Sequence, residues 1–407
     1  MSFQQGLSGL NAAAKNLDVI GNNVANANTV GYKVSNAVFA DVFASSIAGG
    51  GGTQIGIGTS VAGVSVGFTQ GNVTTTDAPL DMAINGQGFF RVENQGSIAY
   101  TRNGQFSLDK NGYVVSPSGA FLTGYTANTM GVINTSSYTN LRISTSEIPA
   151  NATTQGEIVT NLDSRKTALL PAGFDMNDPG TYHSATSMSV YDSQGNPHTL
   201  SMYFMKTAAN SWEVFAAGDG TQIGAGSVGT LAFNSDGTLD STGTTFPSTV
   251  NVPATAGATA NVAVELNFDG TTQFGNIFSV NQLTQDGYTS GRLSGFSVAD
   301  DGVIMSSYSN GQTRAQGQVM LANFNNPNGL QPLGGSFWAE TATSGQPLPG
   351  TPGSSSLGVL QSGAVEESNV DLTAELVDMI TAQRVYQANA QTIKTQDQVM
   401  QTLVNMR

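Results

Sequence analysis

The sequence predicts an α+β multidomain protein in which paired N- and C-terminal helices, coiled-coil-like in their spacing, enclose discontinuous antiparallel all-β domains. Near both ends of the 407-residue chain, apolar residues recur at steps of three and four, the spacing of a packed helix. Between the ends, short alternating apolar runs are separated by Asn-Gly and Asp-Gly turns, as in antiparallel sheets.

The first helix is predicted over residues 2 to about 26. Its apolar residues follow an a/d pattern in which Gly21 occupies the one step without an apolar side chain. The stripe consists of Phe3, Leu7, Leu10, Ala14, Leu17 and Val24.

The second helix is predicted over residues 369 to 405. Its stripe is interrupted only at Gln383 and Asp397. The residues from Ser368 to Asp371 resemble a capping box, and acidic residues precede basic ones along the helix, as the helix dipole favours. The stripe consists of Leu372, Leu376, Met379, Tyr386, Ala390, Ile393, Met400 and Val404.

Both stripes need a partner, because each buried large apolar side chain contributes roughly 1.5 to 3 kcal/mol. The simplest arrangement pairs the two helices. Because two helices form a poor core by themselves, we expect neighbouring copies to complete it, so the fourteen stripe residues are predicted to pack the core of a polymer. An ordinary helical hairpin docked on its own β domain is the alternative.

The other face of the second helix is hydrophilic and nearly uncharged. We hypothesise that it lines a water-filled channel, whose neutral wall would neither hold nor repel a passing unfolded chain. A face exposed to bulk solvent fits the sequence equally well. The candidate channel residues are Gln391, Thr395, Gln398 and Thr402.

The β-rich middle contains four similar segments, at residues 106–115, 190–196, 233–239 and 296–305. Internal duplication and independent hairpins explain them equally well.

The domain organisation is predicted to be nested. The parts are a helical domain of residues 1–30 plus 365–407, an extended linker region of 31–70 plus 350–364, a β domain of 71–145 plus 285–349, and an outer β domain of 146–284 inserted in the first β domain.

The composition argues against several classes of function. A formal charge of −14 disfavours nucleic acid and anionic membranes as partners, since both attract basic proteins. The chain has no Cys, which removes disulfides and thiolate metal sites. We therefore expect no metal, no cofactor and no membrane insertion.

Enzyme motifs are also missing. His183 and His198 have no metal-binding spacing, and His198 is predicted to be a turn residue. Asp300 and Asp301 fall in a hairpin turn, so we assign no catalytic residue. A secreted β-rich adhesive or binding module would expose aromatic side chains, yet Trp212 and Trp338 are isolated in strand-like segments and are expected in cores.

The first residues lack the basic and apolar regions of a cleaved secretory signal, and the sequence has no apolar run of about 20 residues. We expect a soluble protein or one exported by a dedicated route.

A motif follows the first predicted helix: Ala25, Asn26, Thr29, Gly31, Tyr32 and Lys33 match an Ala-Asn-x-x-Thr-x-Gly-aromatic-basic pattern. The pattern resembles that of the bacterial flagellar axial proteins, the rod and hook subunits. Similarity continues through residues 86–90, 102–106 and 319–324, and from Ser368 to Thr395. The Gly-rich stretch 47–58 is longer than is typical of a hook subunit, so the bending stiffness of the subunit at this point is left open.

The resemblance implies a tubular homopolymer with the helices innermost. Length and the inserted middle favour a hook subunit, a flexible universal joint that transmits torque from rod to filament and encloses a type III export channel. A distal rod protein is the alternative. The implied partners are other copies, the distal rod and hook–filament junction proteins, the hook cap and the flagellar export apparatus. The implied location is the extracellular hook.

Overall fold

The computed structural model describes residues 2–42, 56–253 and 261–405. The chain divides into two compact units. The first comprises Met1–Thr145, Gly295–Ser307 and Thr313–Arg407, and the second comprises Ser146–Ser294 and Tyr308–Gln312. The first unit is therefore built from both ends of the chain, and the second is inserted into it. Most of the Gly-rich residues 47–58 lie outside the described residues.

The first unit begins with helix α1, Ser2–Ala25. The strands that follow are β1 Ser35–Val42, β2 Gly58–Val66, β3 Val73–Thr75, β4 Met82–Asn85, β5 Phe89–Asn94, β6 Ser97–Thr101, β7 Ser107–Leu108, β8 Val114–Val115, β9 Phe121–Ala127 and β10 Ile133–Asn140.

Among the described residues of the second unit, the regular elements are β-strands and a short 3-10 helix at Pro171–Gly173. Its strands are β11 Gln155–Asp163, β12 Ser184–Tyr191, β13 Pro197–Ala208, β14 Ser211–Gly218, β15 Thr221–Gln222, β16 Gly229–Ala232, β17 Ser248–Val252, β18 Val262–Asn267, β19 Thr272–Phe274 and β20 Ser279–Gln285.

These strands form two five-stranded sheets. One has the order β17-β18-β11-β19 with β20 also paired to β11, and the other has the order β12-β13-β14-β15 with β16 also paired to β14. Strand β11 runs parallel to β18 and β19, whereas its pairing with β20 is antiparallel. Alternating residues of β13 and β18 are buried in one core around Trp212, as expected for that residue.

The chain then completes the first unit. Its last elements are β21 Leu293–Val298, β22 Val303–Tyr308, β23 Thr313–Val319, β24 Leu321–Asn323, the 3-10 helix Pro327–Gly329, β25 Gln331–Gly334, β26 Phe337–Ala339, β27 Leu348–Gly350, β28 Val359–Ser362, β29 Ala364–Glu366 and helix α2 Leu372–Asn405.

Strands β5 to β10 and β21 to β27 form a 13-stranded sheet. Two buried clusters lie in this unit, one around Phe90 and Leu122 and one that contains Phe89, Tyr100 and Trp338. Trp338 is thus a core residue, as predicted. Strand β3 pairs with β29, and β4 pairs with β28. The segment that leads from α1 into the large sheet therefore lies beside the segment that leads from that sheet to α2.

The four similar segments share one turn. In each, the N–H of a glycine donates to the carbonyl three residues earlier: Gly112 to Asp109, Gly195 to Asp192, Gly237 to Asn234 and Gly302 to Ala299. The glycines have φ between 81° and 86°, a conformation that other residues adopt only at a cost.

Both terminal helices are present, close to their predicted bounds. Helix α2 begins at Leu372, three residues later than expected, because Asp371 and not Ser368 caps it. The Asp371 carboxylate accepts from the N–H groups of Thr373 and Ala374 at 2.9 and 3.1 Å. Within the described residues, neither helix is long and apolar enough to cross a membrane.

Candidate functional site

The two ends of the chain meet at a buried ionic cluster formed by Lys33, Arg102 and Glu366. The Lys33 Nζ lies 2.6 Å from Glu366 Oε1, and the Arg102 Nη1 lies 3.2 Å from Glu366 Oε2. The side chains of Lys33 and Glu366 are fully buried. Glu366 ends β29 just before α2, whereas Lys33 follows α1, so one carboxylate ties the start of the chain to its end.

Backbone groups complete this cluster. Lys33 Nζ donates to the Thr69 carbonyl at 2.6 Å, and the Gly71 N–H donates to Glu366 Oε1 at 2.8 Å. Arg102 Nη2 donates to the Gly86 carbonyl at 2.8 Å. Because these bonds connect segments far apart in sequence, the cluster joins the helices to the β part of the first unit.

Burial is the main influence on the basic groups of the cluster. It lowers the pKa of Lys33 and of Arg102, and the charge of Glu366 opposes the shift in both cases. Two cations share one anion here, so the cluster depends on Glu366 for its charge balance.

The buried side chain of Asn23 joins the two helices beside this cluster. Asn23 of α1 donates to Glu375 Oε1 of α2 at 3.1 Å and to the Ser35 carbonyl at 2.8 Å. Its Oδ1 accepts from the Tyr32 hydroxyl at 3.1 Å. Burial raises the pKa of Glu375, and the bond from Asn23 opposes that rise.

Asn369 bridges the segments before the two helices. Its Oδ1 accepts from the Val34 N–H at 2.7 Å, and its Nδ2 donates to the Gly67 carbonyl at 2.7 Å. The residue therefore fixes where α2 leaves the β part of the unit.

The family motif builds the turn that carries the chain from α1 into this junction. The Asn26 side chain donates to the Asn22 carbonyl, and the Thr29 N–H donates to the Asn26 carbonyl at 3.0 Å. Gly31 has φ of +70°, and a Cβ there would lie 2.5 Å from the Asn103 nitrogen. Of the other motif residues, Lys33 and Tyr32 contact the junction directly, and Ala25 is exposed at the helix end.

The helices pair antiparallel, largely through small residues that lie outside the predicted stripe. A Cβ on Gly6 would lie 3.1 Å from Ile393, and one on Gly9 would lie 2.7 Å from Asn389. Ala12, Ala13 and Ile20 of α1 and Ala382 of α2 are the buried apolar residues of the helices. Small residues allow the two backbones to approach closely, and hydrophobic periodicity alone does not reveal such a face.

Many stripe residues instead lie on the surface of the single chain. Those exposed are Phe3, Leu7, Leu372, Leu376, Tyr386, Met400 and Val404. Those partly buried are Leu10, Ala14, Leu17, Val24, Met379, Ala390 and Ile393. Of the stripe residues, Ile393 faces Gly6 of the partner helix, whereas half of the stripe is exposed. The packing of the stripe in a polymer stays a prediction.

The candidate channel residues Gln391, Thr395, Gln398 and Thr402 are all exposed. The Thr395 and Thr402 hydroxyls donate to the carbonyls of Gln391 and Gln398 at 2.9 and 2.8 Å. Their hydroxyl donors are thus occupied by the helix itself.

His198 is not a turn residue, as the sequence had suggested, but a buried residue of β13. Its Nδ1 lies 2.6 Å from Asp219 Oδ2, and its Nε2 lies 3.6 Å from Asp192 Oδ2. The hydrogen bond to Asp219 raises the pKa of His198, and burial partly opposes that rise. In the described residues no group of three or more His, Cys, Asp or Glu side chains is arranged to hold a metal ion.

Comparison with known proteins shows the family of the whole chain. The chain is 43% identical to the flagellar hook protein FlgE of Escherichia coli K12 over 413 aligned positions, with all of both chains covered. It is 42% identical to that of Salmonella typhimurium, again over the whole of both chains. The chain belongs to the flagellar hook protein family.

Family sequence models match along the hook subunit. Residues 3–33 match "Flagella basal body rod protein", 83–160 match "Flagellar hook protein FlgE/F/G D1 domain", 161–288 match "Flagellar basal body protein FlaE D2 domain", and 361–406 match "Flagellar basal body rod FlgEFG protein C-terminal". The crystal structure of Helicobacter pylori flagellar hook protein FlgE2 has the related fold, with a TM-score of 0.55 and 14% identity over 71% of this chain and 99% of that chain.

The full-length relatives decide for a hook subunit rather than a distal rod protein, since their names are those of hook proteins. The protein is a structural subunit of the flagellar hook. Among its junction residues, the sequence had indicated Lys33 and Tyr32 through the motif. The roles of Asn23, Arg102 and Glu366 were missed. The one signal for Glu366 is that it directly follows the apolar residues Ala364 and Val365, which are buried.

Proposed function

We propose that the hook subunit self-assembles through its terminal helices into a flexible tube that transmits torque from rod to filament and encloses an export channel. The exposed apolar surface of α1 and α2 carries this proposal. It comprises Phe3, Leu7, Leu372, Leu376, Val377, Ile380, Val385, Tyr386, Val399, Met400 and Val404.

Such a surface favours association. In the described part of the helices, eleven large apolar side chains are exposed, whereas the sheets of both compact units enclose buried apolar cores. Covering half of these side chains would contribute on the order of 5 to 10 kcal/mol before the costs of association are subtracted. Since α1 and α2 bury mainly small residues against each other, neighbouring copies are the natural source of that cover.

The channel wall is proposed to be the uncharged face around Thr395 and Gln398. Uncharged amides and satisfied hydroxyls would bind a passing polypeptide weakly. A bulky thiol reagent should label Thr395→Cys in free subunits but not in assembled tubes.

The nested division predicted from the sequence is proposed for the subunit in the tube, with residues 1–30 plus 365–407 innermost and 146–284 outermost. The boundary between the two compact units at Thr145 supports a joint there. Small rotations at such joints would let the tube bend without breaking its contacts.

The hook family supports the remaining assignments. We propose that the subunit reaches the extracellular hook through the flagellar export apparatus without a cleaved signal peptide, and that it contacts the hook cap, the distal rod and the hook–filament junction proteins. We propose a mechanical role only, with no enzymatic activity.

Tube formation tests the proposal. Purified full-length chain should form curved tubes under the electron microscope, and a variant lacking residues 1–30 should not. The truncated variant should keep the β-sheet circular dichroism of its middle, which serves as the folding control. Tubes formed equally well without α1 would contradict the proposal.

A further inference from the structure

Helix α2 extends beyond its partner helix. Because Gly6 faces Ile393 and Gly9 faces Asn389, the antiparallel register places Ser2 beside residues 396 and 397. Residues 397–405, here called the α2 tip, therefore continue for about 13 Å past α1. Val399, Met400 and Val404 of the tip are 48%, 60% and 71% exposed.

A groove of about 660 Å³ lies farther back on the same unit, between α1, α2 and the β1–β2 pair. Here called the helix–hairpin groove, it runs along α2 from Glu375 to Asn389. Ala12, Ala13 and Ala382 line it and are buried, so it has an apolar floor close to the helix backbones. Its walls also carry polar side chains, among them Asn16, Asn36 and Thr381. Glu375 and Asp378 are its ionisable lining residues, both at the end far from the tip.

Building on the proposed self-assembly, we propose that the α2 tip of one subunit occupies the helix–hairpin groove of a neighbouring copy. The tip brings exposed Val and Met side chains, and the floor of the groove presents Ala and Ile side chains, with Glu375 buried at the end far from the tip. Apolar surfaces of this kind associate because both are removed from water.

A tip that fills the groove has to come from a second copy. The centre of the groove at Ala382 and the centre of the tip at Gln401 are 19 residues apart on one helix, which is about 28 Å. The tip cannot fold back into its own groove without breaking α2. A tip that enters the next copy's groove makes a head-to-tail contact, and contacts of this type build open filaments rather than closed dimers.

The pairing also predicts a spacing. Subunits joined in this way should be displaced along the helix direction by about 28 Å. Nine residues bury far less surface than a stable dimer requires, so the contact should hold only where the polymer supplies further ones.

Engineered disulfides test the pairing, because the chain has no Cys of its own. Val404→Cys combined with Thr381→Cys, a groove residue, cannot form a bridge within one chain, since the two positions are about 34 Å apart on α2. Oxidised tubes of this variant should give a ladder of covalent oligomers on a denaturing gel. The matched control pairs Val404→Cys with Gln387→Cys, which is exposed on α2 but outside the groove.

The results separate the two proposals. Tubes with a ladder only for the groove pair are expected. Tubes with no ladder, or with equal ladders for both pairs, would overturn the tip–groove contact and leave the proposed function standing. Failure of the unmodified chain to form tubes would instead refute the self-assembly on which the contact rests.

A charge substitution gives a second measurement. Met400→Asp removes an apolar side chain from the contact and brings a carboxylate onto the apolar floor of the groove. It should raise the concentration needed for assembly about tenfold or more, which corresponds to about 1.4 kcal/mol. Gln398→Asp puts the same charge on the exposed polar side of the tip and should change that concentration less than threefold. Equal effects of the two substitutions would exclude the contact.

Discussion

Glu366 is the residue on which both ends of the hook subunit converge. It accepts hydrogen bonds from Lys33, Arg102 and the Gly71 N–H, and its side chain is fully buried. A buried ion pair adds little stability over a well-packed apolar group, but loss of one partner leaves an uncompensated charge. The junction is therefore sensitive to single substitutions that change charge.

The Glu366→Gln substitution should destabilise the first unit by roughly 3 to 5 kcal/mol, because Lys33 and Arg102 would stay buried without an anion. Urea unfolding measured by Trp338 fluorescence in a Trp212→Phe background would show this loss. Glu367→Gln is the matched control, since Glu367 is exposed and its change should stay within about 0.5 kcal/mol. Equal midpoints for the two variants would refute the role of the cluster.

His198 makes the stability of the second unit depend on pH. Burial alone would raise the pKa of Asp192, but hydrogen bonds from Asn196, Gln194 and His198 together lower it to about 2. The pKa of His198 is raised, so its stabilising contribution is complete below the ordinary histidine pKa of about 6.5 and is lost as the pH rises through the raised value.

The predicted effect is a fall in the stability of the second unit as the pH rises above the ordinary histidine pKa of about 6.5, and this fall is absent in His198→Gln. Trp212 fluorescence during urea unfolding, in a Trp338→Phe background, would measure it. His183→Gln is the control: burial lowers the pKa of His183, so this residue contributes the opposite slope. A wild-type slope that survives His198→Gln would contradict the prediction.

At the scale of elements, the pairing of α1 with α2 depends on glycine and alanine residues outside the apolar stripe as well as on Ile393 within it. Gly9 leaves room for Asn389, whereas nothing lies within 4 Å of a Cβ placed on Gly21. Both positions are glycines within α1, so a substitution changes helix propensity similarly at each. They differ in the space available for a side chain.

Gly9→Leu should separate the helices, since overpacking costs roughly 1 to 3 kcal/mol. Gly21→Leu should instead stabilise α1 by up to about 1 kcal/mol, because leucine favours the helix more than glycine does. The thermal midpoint of the circular dichroism signal at 222 nm would distinguish them. A lower midpoint for Gly21→Leu than for Gly9→Leu would show that the helices pair in another register.

At the scale of the whole molecule, the chain contains two units with separate cores. One cluster lies within residues 158–268, and the other two lie in the first unit. Because the stability of each unit rests on its own core, the units should unfold separately.

Each unit has its own tryptophan, so this separation can be measured. The urea transitions followed by Trp212 and by Trp338, each in the variant that lacks the other tryptophan, should have different midpoints. The Glu366→Gln substitution should shift the transition of Trp338 and leave that of Trp212 in place. Coincident transitions that shift together would show that the units fold as one.

The sequence alone was sufficient to predict the terminal helices, the β-rich middle, its Gly turns and the hook family. These features depend on local spacing, since the 3.6-residue period, turn glycines and the motif from Ala25 to Lys33 are readable within short windows. The alternation of apolar residues also placed Trp212 and Trp338 in cores.

Only the tertiary structure decided which groups meet. Lys33 and Glu366 are 333 positions apart, β11 lies parallel to β18 and β19, and Gly9 faces Asn389 of the partner helix. His198 likewise gained its two carboxylates from separate turns. The reason is physical: hydrophobic periodicity is a property of one element, whereas a hydrogen-bond or packing partner depends on the path of the chain between elements.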